Sequence, residues 1–304
     1  MNPILSVLLW LVLTPAGLLA SLFSRRFELW FGPRLGRFLL AVDPKRRRIA
    51  YDNISRCLPE LGPSGWDKLL RENYEHYGIL ALEMLHQFSP IPGHFRRYAD
   101  SITVLEGQEH WRKAHDKGKG VVLITGHFAN WETAGLIGAH GIPIMMAVRT
   151  LKPEWLDRRI VAARTSLDAT LASGKRILPA MIKHLKGGGT VGFVLDQYAP
   201  PPMGVPAVFF GVKVDTQAAV GLLVSRTGAA IVPGFQRRDE KGMIRVVFQP
   251  EIVLSEEVLA DPARSTEALV AHVEAWIRSH PAQWLWVHRR FKNVTWPARP
   301  SATP

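Results

Sequence analysis

Apolar residues run through positions 4–23 without a single charge, interrupted only by Ser6, Thr14, Pro15, Gly17 and Ser21. At about 1.5 Å per helical residue this stretch just matches a ~30 Å hydrocarbon core, so residues 1–24 are expected to form a transmembrane or membrane-embedded helix. Positions 27–42 interleave aromatic and basic residues (Trp30, Phe31, Arg34, Arg37, Phe38), the composition of a helix lying in a membrane interface. Leu69, Leu70, Tyr74, Tyr77, Leu80, Ala81, Met84 and Leu85 then recur at helical spacing and predict a helix over 66–88, stopped by Pro90, Pro92 and Gly93. Beyond it, short β-branched runs at 120–125, 143–148, 190–195, 230–235 and 244–248 read as strands. Between and after them, helical patterns cover about 130–140, 154–170, 179–186, 217–227 and 265–280. Such alternation predicts an α/β fold, a mostly parallel central sheet flanked by helices, behind the N-terminal membrane-associated helix. No linker divides residues 25–304, which are read as one α/β domain. The proline-heavy loop 198–206 is expected to border a site.

Charge sharpens this division. The chain of 304 residues carries an excess of +12, and nearly all of it lies in two segments. Residues 25–48 hold eight basic and two acidic side chains; residues 275–304 hold five basic and none acidic. A basic segment directly after an apolar helix fits an anionic membrane surface and, by the positive-inside rule, sets the body on the cytoplasmic side. Nucleic acid is not an expected partner, because a binding domain for it carries its basic stripe across the body. One cysteine, Cys57, excludes a disulfide scaffold and any cysteine-based zinc site.

Several motifs fail on context. The run from Gly187 to Gly192 satisfies GxGxxG, but it follows a helix and precedes a strand. A dinucleotide site needs the reverse order, so this is a helix C-terminal stop. No Walker A sequence, GxSxG or HExxH occurs. No cofactor or metal is expected.

The stretch Gly126-His127-Phe128-Ala129-Asn130-Trp131-Glu132 lies where a buried strand gives way to a helix, and strand carboxyl ends are where ligands bind in open α/β sheets. Of the eleven histidines only His127 has an acid five positions later. Gly126 supplies a flexible turn and Asn130 a helix cap. Across such a turn Glu132 is expected to accept a hydrogen bond from one ring nitrogen of His127, leaving the other as a general base for a substrate hydroxyl. A histidine merely satisfied at a strand end is the competing reading.

These residues resemble the His-x4-Asp/Glu block of glycerolipid-type acyltransferases. More closely, the chain resembles the bacterial lipid A biosynthesis acyltransferases, the lauroyl/myristoyl transferases. The likeness extends to Asn53-Ile54-Ser55-Arg56-Cys57-Leu58-Pro59-Glu60, Tyr77-Gly78 with Glu83, Leu195-Asp196-Gln197, Val208-Phe209-Phe210-Gly211, Thr227-Gly228-Ala229 with Val232-Pro233, and the block from Gln283 to Lys292. The resemblance implies a membrane-bound O-acyltransferase at the bacterial inner membrane. It would move a fatty acyl chain from acyl carrier protein or acyl-CoA to a hydroxyl of an anionic lipid, a lipid A precursor first. His127 matches the family's base and Glu132 its partner. Arg164 and Asp196, with Arg149 as a further candidate, match residues that shape the site. Asn130, Gln197, Arg289 and Arg290 complete the substrate-binding set. The transition-state oxyanion would be met by backbone N–H groups of the Gly126 turn or by Arg164, a choice the sequence leaves open. Two departures stand out: the prolines of 198–206, and Glu132 where many relatives carry aspartate. Acylation of another lipid, such as a lysophospholipid or a phosphoinositol mannoside, is the alternative. A non-catalytic binder of anionic membrane surfaces is a third.

Overall fold

A computed structural model describes residues 3–174 and 176–296. The elements are α1 (Pro3–Ala20), α2 (Arg25–Val42), α3 (Pro44–Cys57), α4 (Gly62–Leu85), α5 (His94–Ile102), β1 (Thr103–Glu106), α6 (Gln108–His115), β2 (Val121–Thr125), β3 (Ile144–Ala147) and α7 (Glu154–Thr165). They continue with β4 (Thr170–Ala172), α8 (Ile177–Lys186), β5 (Thr190–Val194), β6 (Gly204–Phe209), β7 (Val212–Gln217), α9 (Ala219–Thr227), β8 (Ala230–Arg238), β9 (Ile244–Phe248), α10 (Glu256–Ala260) and α11 (Pro262–Ser279).

Seven strands form one sheet in the order β1-β9-β8-β2-β5-β3-β4. The five from β8 to β4 are parallel; β9 runs antiparallel to β8, and β1 pairs parallel with β9. The fold is therefore α/β with a mostly parallel central sheet. On β2, Val122 and Ile124 enter one hydrophobic core while Val121 and Leu123 enter another. That two-residue alternation, with both faces apolar, is why the run lacks polar positions. A separate hairpin of β6 and β7 follows the expected proline loop 198–206, overlapping it only from Gly204 to Pro206, in a stretch for which the sequence pattern predicts no element. The glycine run behaves as read: α8 ends at Lys186 and β5 begins at Thr190.

The expected transmembrane helix is corrected. α1 has 18 residues, about 27 Å of helix, and among the described residues no helix is long and apolar enough to cross a membrane. Its C-terminal turns pack on the body: a Cβ at Gly17 would sit 2.3 Å from the carbonyl carbon of Phe88. Its outer face leaves Ile4, Val7, Leu8, Leu11, Val12 and Leu19 more than half exposed.

α2 lies along α4 with backbones in contact. A Cβ at Gly78 would fall 1.9 Å from the Gly32 carbonyl oxygen, and one at Gly36 would fall 2.0 Å from that of Tyr74. Beside this seam is a buried ionic cluster: Arg25 reaches Glu28 and Glu83, Arg238 forks onto Glu83, and His86 Nε2 lies 2.6 Å from Glu28 Oε1. Burial would raise the Glu83 pKa, but Arg238 and Arg25 outweigh it and hold the group at about 2. The N-terminal helices also grip the C-terminal segment. Asn53 donates to the carbonyls of Trp286 and His288, Asn73 to those of Ala282 and Trp284, and Tyr77 to that of Trp284. Of the C-terminal basic residues, Arg299 lies outside the described residues.

Candidate functional site

β2 and β5 are adjacent and parallel, with Thr125 beside Val194 in register. His127 lies two residues past Thr125 and Asp196 two past Val194, so the two strands deliver these side chains to the same place. His127 Nδ1 stands 2.9 Å from Asp196 Oδ1, and the His127 backbone N–H donates to Asp196 Oδ2 at 2.7 Å. Gly126 is needed for this approach, because a Cβ there would sit 2.6 Å from a Phe128 ring carbon and 3.1 Å from Asp196 Oδ2. Its role is close contact rather than an unusual φ. The left-handed residue of the turn is Ala129, at φ 45°, whose N–H is held by the Gln283 carbonyl at 3.1 Å.

The expected hydrogen bond from His127 to Glu132 is not formed; Asp196 takes that place. Glu132 is turned to α7, where Arg164 grips it through Nε at 2.9 Å and Nη2 at 2.8 Å. The physical reason is reach: Glu132 sits in the 3-10 helix Trp131–Ile137, which replaces the expected helix over 130–140 and carries the carboxylate toward α7. Trp131 bridges the two pairs, its ring edge-on to His127 at 5.1 Å and its Nε1 donating to Glu132 at 3.2 Å. Asn130 is fully buried and caps that helix by accepting the Glu132 N–H at 3.2 Å.

Electrostatics follow from these contacts. Burial alone would lower the His127 pKa, but the Asp196 carboxylate overrides it and leaves the imidazole raised. Burial would raise Asp196, yet His127 and the Trp284 indole hold it at about 2. With Asp196 ionised, Nδ1 carries the proton and Nε2 is the free basic atom. The Gln197 amide lies 3.2 Å from that Nε2. Burial lowers the Arg164 pKa, and the Glu132 pair raises it above the ordinary value.

Other expected residues divide. Arg149 and Arg289 are exposed. Arg290 is corrected as a ligand-facing cation: it is fully buried and donates to the carbonyls of Gln197 and Asp215 and to the Thr216 hydroxyl. Burial pushes its pKa down to about 10. It therefore holds the loop after Asp196. The N–H groups of His127, Phe128 and Ala129 are all spent on partners within the protein, so the turn does not offer them to an oxyanion. The residue missed in the sequence is Trp284, 1% exposed, whose Nε1 donates to Asp196 Oδ2 at 2.8 Å. It stood inside the C-terminal aromatic block, but nothing in the sequence tied it to Asp196. Among the described residues, no three His, Cys, Asp or Glu side chains are grouped to hold a metal ion.

Comparison with known proteins gives a family. The model of the bacterial lipid A biosynthesis acyltransferases matches residues 4–293. The chain is 29% identical over 283 residues to lipid A biosynthesis lauroyltransferase of Escherichia coli (strain K12), covering 90% of this chain and 86% of that one. It is 25% identical over 267 residues to the palmitoleoyltransferase of the same organism, with 87% and 84% covered. Phosphatidylinositol mannoside acyltransferase of Mycolicibacterium smegmatis is 30% identical over 194 residues, 62% of each chain.

Proposed function

Because the chain belongs to the bacterial lipid A biosynthesis acyltransferase family and is an O-acyltransferase, we propose that it moves a fatty acyl group from a thioester donor to a hydroxyl of a lipid A precursor. Acyl carrier protein or acyl-CoA is the donor. The observation that carries the chemistry is the His127–Asp196 pair at the adjoining ends of β2 and β5. Asp196 keeps the proton on Nδ1, so Nε2 can take the proton of the acceptor hydroxyl as its oxygen attacks the thioester carbonyl. The donor's sulfur leaves as thiolate as the tetrahedral intermediate collapses, and the imidazolium gives it the proton taken from the acceptor. The Gln197 amide nitrogen lies 3.4 Å from Nδ1 and 3.2 Å from Nε2, beside the imidazole that the acceptor hydroxyl must approach. Arg164, with one guanidinium nitrogen beyond its Glu132 pair, and the Gln197 amide are the donors left for the oxyanion.

The chemistry takes place at a bilayer surface. The exposed apolar face of α1 and the aromatic and basic face of α2 give the chain the surface of an interfacial protein at the cytoplasmic face of the inner membrane. A second acceptor reading, a phosphoinositol mannoside, draws on the mycobacterial relative. One experiment separates these readings: detergent-purified protein incubated with labelled acyl donor and a panel of acceptors, with mass spectrometry of the lipids. Transfer to a lipid A precursor that disappears in His127→Ala supports the proposal. Full transfer by His127→Ala overturns the role of the histidine, and transfer only to another acceptor overturns the substrate.

A further inference from the structure

At the end of α2 away from α1, helices α2, α3 and α4 enclose a cleft of about 480 Å³. Its floor is apolar, from Leu40, Tyr51 and Leu70; its rim carries Arg47, Arg48 and Arg71, with Asp67 as the one acid. Arg47 and Arg71 have no ion-pair or side-chain hydrogen-bond partner among the described residues. Arg48 meets Asp52 only at 4.0 Å, with most of its side chain in solvent. Three exposed arginines thus line a cleft with an apolar floor and little to neutralise them.

The neighbourhood says what would fill such a cleft. The outward face of α2 exposes Trp30, Phe38 and Val42 among Arg26, Arg34 and Arg37, and its one acid, Glu28, is buried inward. At 100° per residue, Leu40 lies on the flank between that face and the glycine seam. The cleft therefore borders the aromatic and basic face of α2 that the membrane-surface reading sets against the bilayer. A water-soluble acidic partner would account for the arginines but not for the apolar floor or its continuity with exposed aromatics.

We infer that this cleft binds the phosphate of an anionic glycerophospholipid, with Arg47, Arg48 and Arg71 on the phosphate and the upper acyl chain against Leu40 and Tyr51. It rests on the membrane-surface reading above, and it concerns a bilayer lipid held outside the reaction centre. The experiment is sedimentation of the full chain with vesicles of phosphatidylcholine, alone or mixed with phosphatidylglycerol. Arg47→Gln/Arg48→Gln/Arg71→Gln should bind the mixed vesicles at least about tenfold more weakly than wild type and neutral vesicles equally well. Lys113→Gln/Lys186→Gln/Arg226→Gln, the same loss of charge on exposed positions of α6, α8 and α9, should bind as wild type does. Equal binding by the cleft variant, or equal weakening by the control, overturns the site while leaving membrane association intact. Wild-type protein that binds no vesicle overturns the membrane reading and the site with it. Should soluble polyglutamate, and not phosphatidylglycerol, depend on the three arginines, the occupant is an acidic protein and the lipid site fails. If the triple variant melts early, Arg47→Gln and Arg71→Gln are tested singly, each with an expected loss of several-fold.

Discussion

The indole of Trp284 and the carboxylate of Asp196, 88 residues apart, are joined by a 2.8 Å hydrogen bond in a buried setting. The same carboxylate oxygen accepts the His127 N–H, so each oxygen of Asp196 is committed and its orientation is fixed. Asp196→Asn puts this to the test. An amide turned to donate to Nδ1 would drive the imidazole proton to Nε2 and remove the base. A loss of about 10³–10⁴ in kcat is expected from steady-state acyl transfer, by the logic of a histidine held by an aspartate. An unchanged rate would show that the pair is structural.

Trp284→Phe keeps most of the packing and removes one donor. The Asp196 pKa should rise, because one of the donors that stabilises its ionised form is gone. A stability loss of about 1–3 kcal/mol in urea unfolding goes with it, from one unsatisfied buried group.

The pH dependence has two opposing parts. With His127 as the proposed base, activity needs its neutral form; its pKa is raised, so the acid limb of kcat/KM should have its midpoint above the ordinary histidine value near 6.5. Stability runs the other way at this residue: a raised histidine contributes below its unfolded pKa and loses that contribution as pH climbs through the folded value. Asp196 and Glu83, both held at about 2, contribute above their unfolded pKa near 4 and lose it as pH falls toward 2. The urea midpoint measured across pH should therefore drop steeply below about pH 4.

Glu83→Gln takes from buried Arg238 the carboxylate it forks onto and leaves Arg25 with Glu28 alone. A loss of about 3–5 kcal/mol is expected, as when one partner of a buried pair is removed. Circular dichroism during thermal unfolding measures it, and a melting temperature equal to that of wild type would contradict the buried cluster.

Gly78→Ala forces a methyl group into the Gly32 carbonyl. The helices must separate, with an expected cost of about 1–3 kcal/mol or more, as in other overpacked sites. Gly62→Ala, with open space around its Cβ but φ 65°, isolates backbone strain for comparison at about 1 kcal/mol.

What the sequence made legible tracks how directly each residue's neighbours are written in its own segment. β2 and β5 are visible because both faces are buried and the runs are apolar throughout. α3 is less visible because its opening turns, Lys45 to Arg48, are exposed and its buried side includes polar Asn53 and Ser55. The β6–β7 hairpin was hidden by prolines and by a tight turn in which Phe210 and Gly211 take φ 51° and 76°, where Phe in place of the usual Asn erases the turn signal. The site split in the same way. His127, Glu132, Arg164 and Asp196 were all named, but their pairing depends on β5 lying beside β2, which is a fact of strand order rather than spacing.

α7 touches the N-terminal helix at one end, where Trp155 donates to Ser6, and the candidate site at the other, where Arg164 grips Glu132. Nine residues separate these contacts, about 13.5 Å of helix. One inserted residue would swing Arg164 by about 100° and cut it from Glu132. The helix is thus a strut of fixed length, and a shift of the N-terminal helix that carried Trp155 with it would be felt at Glu132.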